Sequence, residues 1–277
     1  MRNIMRADLY RIFHSKGVYI AIAVFLAMTV LQVFFPDGQM GIMVATETYT
    51  TIQNEDGTWE VIAPEKPLMT GKTMPFKLAE TTDNLIFFLL PFIVFIATAD
   101  FSHGAVKNLI SSGISRKKYF LAKLVLLSLT CIVIMLLYVL ISIVLATILR
   151  GFGGDFSMDF IGSLAEVYLP QFYLLYAFVC VGFFLGFAFR STAMLNTVYI
   201  AFALLPSLVF SVLAFNNPQL EVLFKYIIPL GIKTFAFEQK ITGMPSADLT
   251  HSILLGGTYI FVCVIGGFLL FRKAEIK

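Results

Sequence analysis

The stretch LVLLSLTCIVIMLLYVLISIVLATIL, residues 124–149, contains no charged residue and decides the fold class. A bilayer core of about 30 Å is crossed by roughly 20 apolar residues in helical conformation. Five further stretches have the same character: 17–35, 84–99, 167–189, 192–215 and 252–271. Of the 277 residues, 58% are hydrophobic and 13% are charged, a composition that excludes a soluble globular protein. We predict an all-α integral membrane protein with six transmembrane helices.

The distribution of charge predicts the topology. Six spans place both termini on one side, and with the termini inside, the inner segments hold 13 of the 20 basic residues and three of the 17 acidic ones. Because basic residues concentrate on the cytoplasmic side, both termini are expected there. The net charge of +3 is too small to indicate nucleic-acid binding. Cys131, Cys180 and Cys263 all lie in apolar runs, which offers neither a disulfide framework nor a metal site. The first span is expected to be retained rather than cleaved as a signal peptide.

The two ends of the first span have distinct patterns. Residues 2–16 predict an amphipathic interface helix in the inner headgroup layer, with Asp8 turned away from its apolar face. That face is formed by Ile4, Met5, Leu9, Ile12 and Phe13. A simple basic anchor that sets topology is the alternative. The outer loop, residues 36–83, predicts a small β-hairpin turning at 54–57. Its role, either as a structural cap or in contacting a substrate, stays open.

The inner loop, residues 100–123, predicts a short helix between the second and third spans. Ser102 is its expected cap, Gly113 its expected end, and Ser115 the start of the next helix. One apolar face would be formed by Ala105, Val106, Leu109 and Ile110. A loop that serves only as a positive topology signal is the alternative, but it does not explain this face. In the outer segment 216–251, residues 222–232 are too short to cross and predict a re-entrant stretch.

Catalytic motifs are weak in this chain. The segment 71–73 resembles the end of a phosphate-binding loop, but Lys66 stands where the first glycine is needed. No charged residue or histidine falls within the six predicted spans, whereas ion-coupled transporters place such groups at membrane depth. We therefore predict no enzymatic activity, and energy for any uphill transport would have to enter from outside the bilayer. Gly182 and Gly186 form a GxxxG pattern, which favours helix packing over a dimer contact.

The stretch DFSHGAVKNLISSGISRKKYFLAK, residues 100–123, resembles a pattern of the ABC-2 family of exporter permeases, the membrane subunits of ATP-binding cassette transporters. The similarity lies in an acidic residue that closes span two, then Gly-x-x-Lys-Asn, Gly-x-x-Arg and Ala-Lys. The layout of the whole chain, 1–277, is similar to a single ABC-2 transmembrane domain. The long outer loop with Trp59 departs from many members of that family.

The resemblance implies a permease that exports amphipathic or hydrophobic cargo, such as an antimicrobial or bacteriocin-like peptide, a drug or a lipid. It implies a coupling helix that docks on a separate ATPase subunit, made of His103, Gly104, Ala105, Val106, Lys107, Asn108, Leu109, Ile110, Gly113 and Arg116. Asp100 and Lys123 would support it, with Asp100 paired to a basic neighbour. The chain would bind no cofactor or metal itself. ATP and magnesium would belong to two copies of the partner ATPase.

A second permease subunit, identical or different, would complete the assembly in a bacterial plasma membrane. A membrane sensor or immunity protein that binds a ligand through its outer loop is the alternative function, and a passive channel is a third.

Overall fold

A computed structural model describes residues 2–35, 50–53, 59–62, 69–102, 104–216, 227–228, 232 and 246–273. Within these residues, five helical segments are long and apolar enough to cross a membrane. They are Lys16–Phe34, Met74–Phe101, Arg116–Arg150, Met158–Phe189 and Leu249–Lys273. The class predicted from composition, a multi-pass helical membrane protein, is therefore confirmed.

The helices are numbered here in chain order. They are α1 (Arg2–His14), α2 (Lys16–Phe34), α3 (Met74–Leu78), α4 (Leu85–Ala97), α5 (Ala99–Ser102), α6 (Ala105–Ser111), α7 (Arg116–Arg150), α8 (Met158–Phe189), α9 (Thr192–Asn216) and α10 (Ser246–Lys273). A 3₁₀ helix, Ala79–Asn84, joins α3 to α4.

One predicted span is longer in the structure. The second, drawn as 84–99, is one part of a longer helical segment that begins at Met74, with Pro75 in the first turn of α3, where proline is well tolerated. The fifth, drawn as 192–215, coincides with α9, which is 25 residues long. Within the described residues, five segments are candidate spans, and Thr192–Pro206 of α9 is a further, shorter apolar stretch.

The most buried helices of the bundle are α4 and α8. In the most apolar windows of their segments, 56% and 61% of residues are buried, against 22% for α2, 28% for α7 and 17% for α10. Close approach at α8 depends on two glycines: a Cβ at Gly182 would lie 2.7 Å from the Tyr199 ring, and one at Gly186 would lie 2.6 Å from the Ala97 Cβ. The GxxxG pattern therefore serves packing within this chain, as predicted.

Two short antiparallel strands lie between α2 and α3 in the chain, β1 (Thr50–Gln53) and β2 (Trp59–Ile62). Thr50 pairs with Ile62 and Gln53 with Trp59, so the connection falls at residues 54–58. This is where the sequence predicts a hairpin turn, although the turn itself lies outside the described residues.

The segment 71–73 is held against the end of α7 rather than left open for phosphate. The Gly71 amide donates to the Gly151 carbonyl at 3.0 Å, and the Lys72 amide donates to the Phe152 carbonyl at 2.9 Å. Backbone amides that are already bonded cannot cradle a phosphate, which agrees with the rejection of a phosphate-binding loop. The predicted re-entrant stretch, 222–232, lies outside the described residues except for 227, 228 and 232.

Candidate functional site: helix α6 and its two anchors

Helix α6 is bounded on both sides by a glycine in the left-handed conformation. It follows Gly104, whose φ of 64° is left-handed, and it is closed by Gly113, with φ of 89°. The Gly113 amide donates to Ile110 at 3.1 Å and the Ile114 amide to Leu109 at 3.3 Å, the two bonds of a Schellman motif. The predicted end at Gly113 is confirmed. The predicted cap is wrong, because Ser102 closes the preceding helix α5 instead.

The apolar face of α6 packs on the protein itself. Val106 is buried, and Leu109 and Ile110 are partly buried against the core. Lys107 and Asn108 are exposed on the other side. A partner that docks on α6 would therefore first meet its polar face, and the apolar residues would hold the helix in place. His103 of the predicted coupling helix lies outside the described residues.

The chain just after α6 is anchored to α10. The Ser115 side chain accepts a hydrogen bond from the Lys118 amide at 3.4 Å, which confirms the predicted start of α7. One guanidinium nitrogen of Arg116 donates to the carbonyls of Phe271, at 3.2 Å, and Arg272, at 2.6 Å. Because these carbonyls end α10, the positive charge also interacts favourably with that helix terminus.

The chain just before α6 is anchored by a group of charged side chains that we call the charge cluster: Asp8, Arg11, Asp100 and Lys123. The Lys123 ammonium lies 2.8 Å from an Asp8 oxygen and 2.7 Å from an Asp100 oxygen. Asp100 also pairs with the guanidinium of Arg11 and accepts a hydrogen bond from the Tyr119 hydroxyl at 2.8 Å. The cluster joins α1, α5 and α7, whose residues are up to 115 positions apart in sequence.

The charge cluster is buried and formally neutral. Lys123 is 0%, Asp100 1% and Asp8 6% exposed, while Arg11 reaches solvent. Two cations and two carboxylates compensate each other, which is the condition under which charges are tolerated in a low-dielectric interior. One polar atom of the cluster nevertheless lacks a hydrogen bond: the second carboxylate oxygen of Asp8 is buried and has no partner within the described structure.

The electrostatics of α1 follow from this placement. Burial raises the pKa of the Asp8 carboxyl, although the Lys123 ammonium acts in the opposite direction. Burial also lowers the pKa of the Arg11 guanidinium, but the hydrogen bond and charge of Asp100 outweigh it, and the net shift is upward. The surroundings of Asp8, the single carboxyl of α1, therefore disfavour its ionised form.

Aromatic rings pack around the cluster and link it to the core. The Tyr119 ring lies 5.5 Å from Phe271, and Phe271 lies 5.2 Å from Phe187. Phe101 contacts both Phe187, at 5.6 Å, and Phe271, at 6.2 Å. Through these contacts α5, α7, α8 and α10 share one packed layer, which excludes water from the buried charges.

The sequence pattern predicts part of this site. Asp100 is predicted to pair with a basic neighbour and Lys123 to support it, and the structure brings both together. The roles of Arg11 and Tyr119 are not predicted, and Asp8 is predicted on the wrong face of α1. Lys123 also lies within the spanning helix α7, beyond the edge of the charge-free span drawn at 124.

The error concerning Asp8 has a visible cause. Ile4, Asp8 and Ile12 are each 6% exposed and recur every four residues, whereas Leu9 and Phe13 are exposed. Residues three or four positions apart lie on the same face of a helix. The spacing of Ile4, Asp8 and Ile12 was therefore the sequence pattern that could have predicted a buried Asp8. Among the described residues, no group of three or more His, Cys, Asp or Glu side chains could hold a metal ion.

Comparison with known proteins identifies the family. Residues 74–277 match the model of a family described as "Protein of unknown function (DUF2705)". The chain belongs to the DUF2705 family. The match includes Asp100, Tyr119 and Lys123 but begins after α1, so Asp8 and Arg11 lie outside it. A search of curated proteins gave no match. The DUF2705 description gives no activity, substrate or partner, and the likeness to ABC-2 permeases stays a prediction.

Proposed function

We propose that this DUF2705 chain is the membrane-spanning subunit of an ABC-2-type exporter that moves amphipathic or hydrophobic cargo out of the cell. A peptide of the antimicrobial or bacteriocin type, a drug and a lipid are the cargo classes considered. The chain itself would hydrolyse nothing. Two copies of a separate ATPase, with ATP and magnesium, would supply the energy, and a second permease subunit would complete the translocation path.

The observation that carries this proposal is the double anchoring of α6. Asp100, just before the helix, is tied to α1 and α7, and Arg116, just after it, is tied to α10. A force applied to the exposed face of α6 would therefore reach α1, α7 and α10 through charged or hydrogen-bonded contacts. A loop that served only as a topology signal would not need these contacts.

The proposal includes a topology. We place α9 as a sixth crossing and both termini in the cytoplasm of a bacterial plasma membrane, because basic residues favour that side. Lys107 and Asn108 would then face the cytoplasm and the ATPase, whereas the strands β1 and β2 would lie outside.

The first experiment is purification of the chain from its native cells in mild detergent, with mass spectrometry of whatever copurifies. A near-stoichiometric ABC ATPase is the expected result. The variant Lys107→Glu should release it, because Lys107 is exposed on α6. Lys273→Glu is the matched control, since it makes the same charge reversal at an exposed residue at the end of α10. Leu109 and Ile110 are poor test positions, because they pack on the chain itself.

Two results would contradict the exporter proposal. One is recovery of the chain alone under conditions that preserve other membrane complexes. The other is retention of the ATPase by Lys107→Glu at the wild-type ratio, in which case α6 is not the docking element.

A sensor or immunity protein is the rival function, and the paired strands β1 and β2 in the outer loop favour it. Trp59 starts β2 and is the only tryptophan of the chain, so a ligand bound there would change the intrinsic tryptophan fluorescence. In that case deletion of 50–62 would abolish the cellular response, and Lys107→Glu would not. An exporter is expected to show the reverse dependence on α6, and a passive channel would conduct without ATP.

A further inference from the structure

An apolar groove of about 450 Å³ lies between α1, α2, α4 and α7. Its volume is within the range of roughly 300–1,000 Å³ that ligand sites occupy. Two of its lining side chains carry hydroxyls, and both are bonded to the backbone: Thr130 donates to the Leu126 carbonyl at 2.9 Å and Tyr19 to the Phe13 carbonyl at 2.5 Å. The groove therefore offers no free hydrogen-bond donor among its lining side chains, and its apolar lining fits an apolar occupant.

The groove opens sideways, along faces that a bilayer would cover. Val133 and Leu129 of α7 and Leu26 of α2 line it and are 52%, 47% and 40% exposed. All three belong to helices long and apolar enough to span a membrane. The apolar groups that surround such helices are lipid acyl chains, so the groove is accessible to a chain entering from the bilayer.

The end of the groove formed by α1 and the first turn of α2 carries positive charge. Arg6 is exposed and shares a helix face with Leu9 and Phe13, at spacings of three and seven residues. Lys16 is exposed and precedes Tyr19 by one turn. Residues 2–35 contain a single acid, Asp8, which is turned into the charge cluster and paired with Lys123. The rim that remains is cationic.

We propose that this groove binds one acyl chain of an anionic phospholipid, with the headgroup held at Arg6 and Lys16. A cationic rim above an apolar slot matches the two parts of such a lipid. A second copy of this chain fits less well, because a two-fold contact would bring two cationic rims into one interface. The proposal holds whether or not the chain is an exporter.

The test is native mass spectrometry of the purified chain with equal amounts of dioleoylphosphatidylglycerol and dioleoylphosphatidylcholine. The wild type should retain one phosphatidylglycerol in preference to phosphatidylcholine. Val133→Trp fills the groove and should abolish this retention. Val144→Trp is the matched control: Val144 lies on the same helix, is 46% exposed and does not line the groove, so retention should match the wild type.

A second pair of variants tests the rim. Removing two basic charges, as in Arg6→Gln with Lys16→Gln, should weaken phosphatidylglycerol binding on the order of 30-fold. Lys117→Gln with Lys118→Gln is the control, because both residues are exposed at the start of α7, more than two helical turns before Leu126, the first residue of that helix that lines the groove. Folding of all variants is verified by their melting temperatures. Unfolding is detected with a thiol-reactive dye that labels the cysteines, which are buried in the folded protein.

Four outcomes overturn the proposal. Equal retention by the Val133 and Val144 variants would show that the groove is not the site. Equal retention of the two lipids, or no effect of the paired rim variant, would remove the charge selectivity. A dimer that dissociates only in Val133→Trp would assign the groove to a second copy of the chain.

Discussion

Replacement of Lys123 by methionine is the sharpest test of the charge cluster. The ammonium of Lys123 contacts Asp8 at 2.8 Å and Asp100 at 2.7 Å, and the side chain is 0% exposed. With an effective dielectric constant near 20, each contact is worth about 6 kcal/mol of Coulomb attraction. Desolvation of the buried ammonium cancels much of this sum, at several kcal/mol. Removing one partner of a buried pair is therefore expected to lower the free energy of unfolding by about 3–5 kcal/mol.

The assay is reversible unfolding in mixed micelles with increasing sodium dodecyl sulfate, followed by far-ultraviolet circular dichroism. Lys118→Met, the same substitution at an exposed residue five positions earlier on α7, should change the unfolding free energy by less than about 0.5 kcal/mol. The double variant Lys123→Met with Asp8→Asn should recover part of the loss. It removes the carboxylate for which Lys123 is the hydrogen-bonded cation, whereas Asp100 keeps Arg11 and Tyr119.

A small effect of Lys123→Met would refute this reasoning. If the loss is below about 1 kcal/mol, water or a change in protonation compensates the carboxylates, and the cluster does not hold α1 on the bundle. If the double variant is no more stable than the single one, Asp8 is not the group left uncompensated. Either result would also weaken the argument that force on α6 reaches α1.

Three further predictions concern single positions. Burial raises the pKa of Asp8, so its ionised form costs stability at neutral pH, and in Asp8→Asn the Lys123 ammonium keeps Asp100 as its partner at 2.7 Å. Asp8→Asn should therefore leave the melting temperature at pH 7 unchanged or higher, and this difference from wild type should vanish as the pH falls below the ordinary pKa of 3.8; a lower melting temperature at pH 7 would contradict it. Gly182→Ala should lower the free energy of unfolding by about 1–3 kcal/mol, since its Cβ would meet the Tyr199 ring at 2.7 Å. The control Gly162→Ala, on the same helix, meets nothing within 4 Å and should be neutral or slightly stabilising; equal effects of the two variants on unfolding followed by circular dichroism would reject this close contact. Tyr119→Phe should cost roughly 1.5–3 kcal/mol in the same assay, because it removes a hydroxyl bonded to a buried carboxylate at 2.8 Å, and an unchanged unfolding free energy would show that this bond contributes nothing.

The elements near α6 could be predicted well because their signals are local. The turn at Gly113 needs a left-handed residue, and the start of α7 at Ser115 needs a side-chain acceptor one turn before a free amide. Both signals lie within a few residues of the structure they specify. The cap assigned to Ser102 was wrong for a related reason: residues Ala99–Ser102 extend the preceding helix, and Gly104 takes the position before α6.

The boundaries of the spans were less predictable. Hydropathy marks where apolar residues end, but a helix continues as long as its backbone bonds can form. The segment Met74–Phe101 begins ten residues before the predicted start at 84, and α8 begins at Met158, nine residues before 167. Charged and polar residues such as Lys77 and Glu80 lie in these extensions, where they pair with each other at 2.8 Å.

By itself, the sequence determined that this protein is a helical membrane protein with a short amphipathic helix in the loop after its second span. Apolar length and local capping carry that information, and both can be read within one turn or one span. Only the tertiary structure decided which charges meet. Asp8 and Lys123 are 115 residues apart, and Arg11 and Asp100 are 89 apart. Their pairing depends on how α1 rotates and where it docks, which is set by packing of the whole bundle rather than by any local pattern.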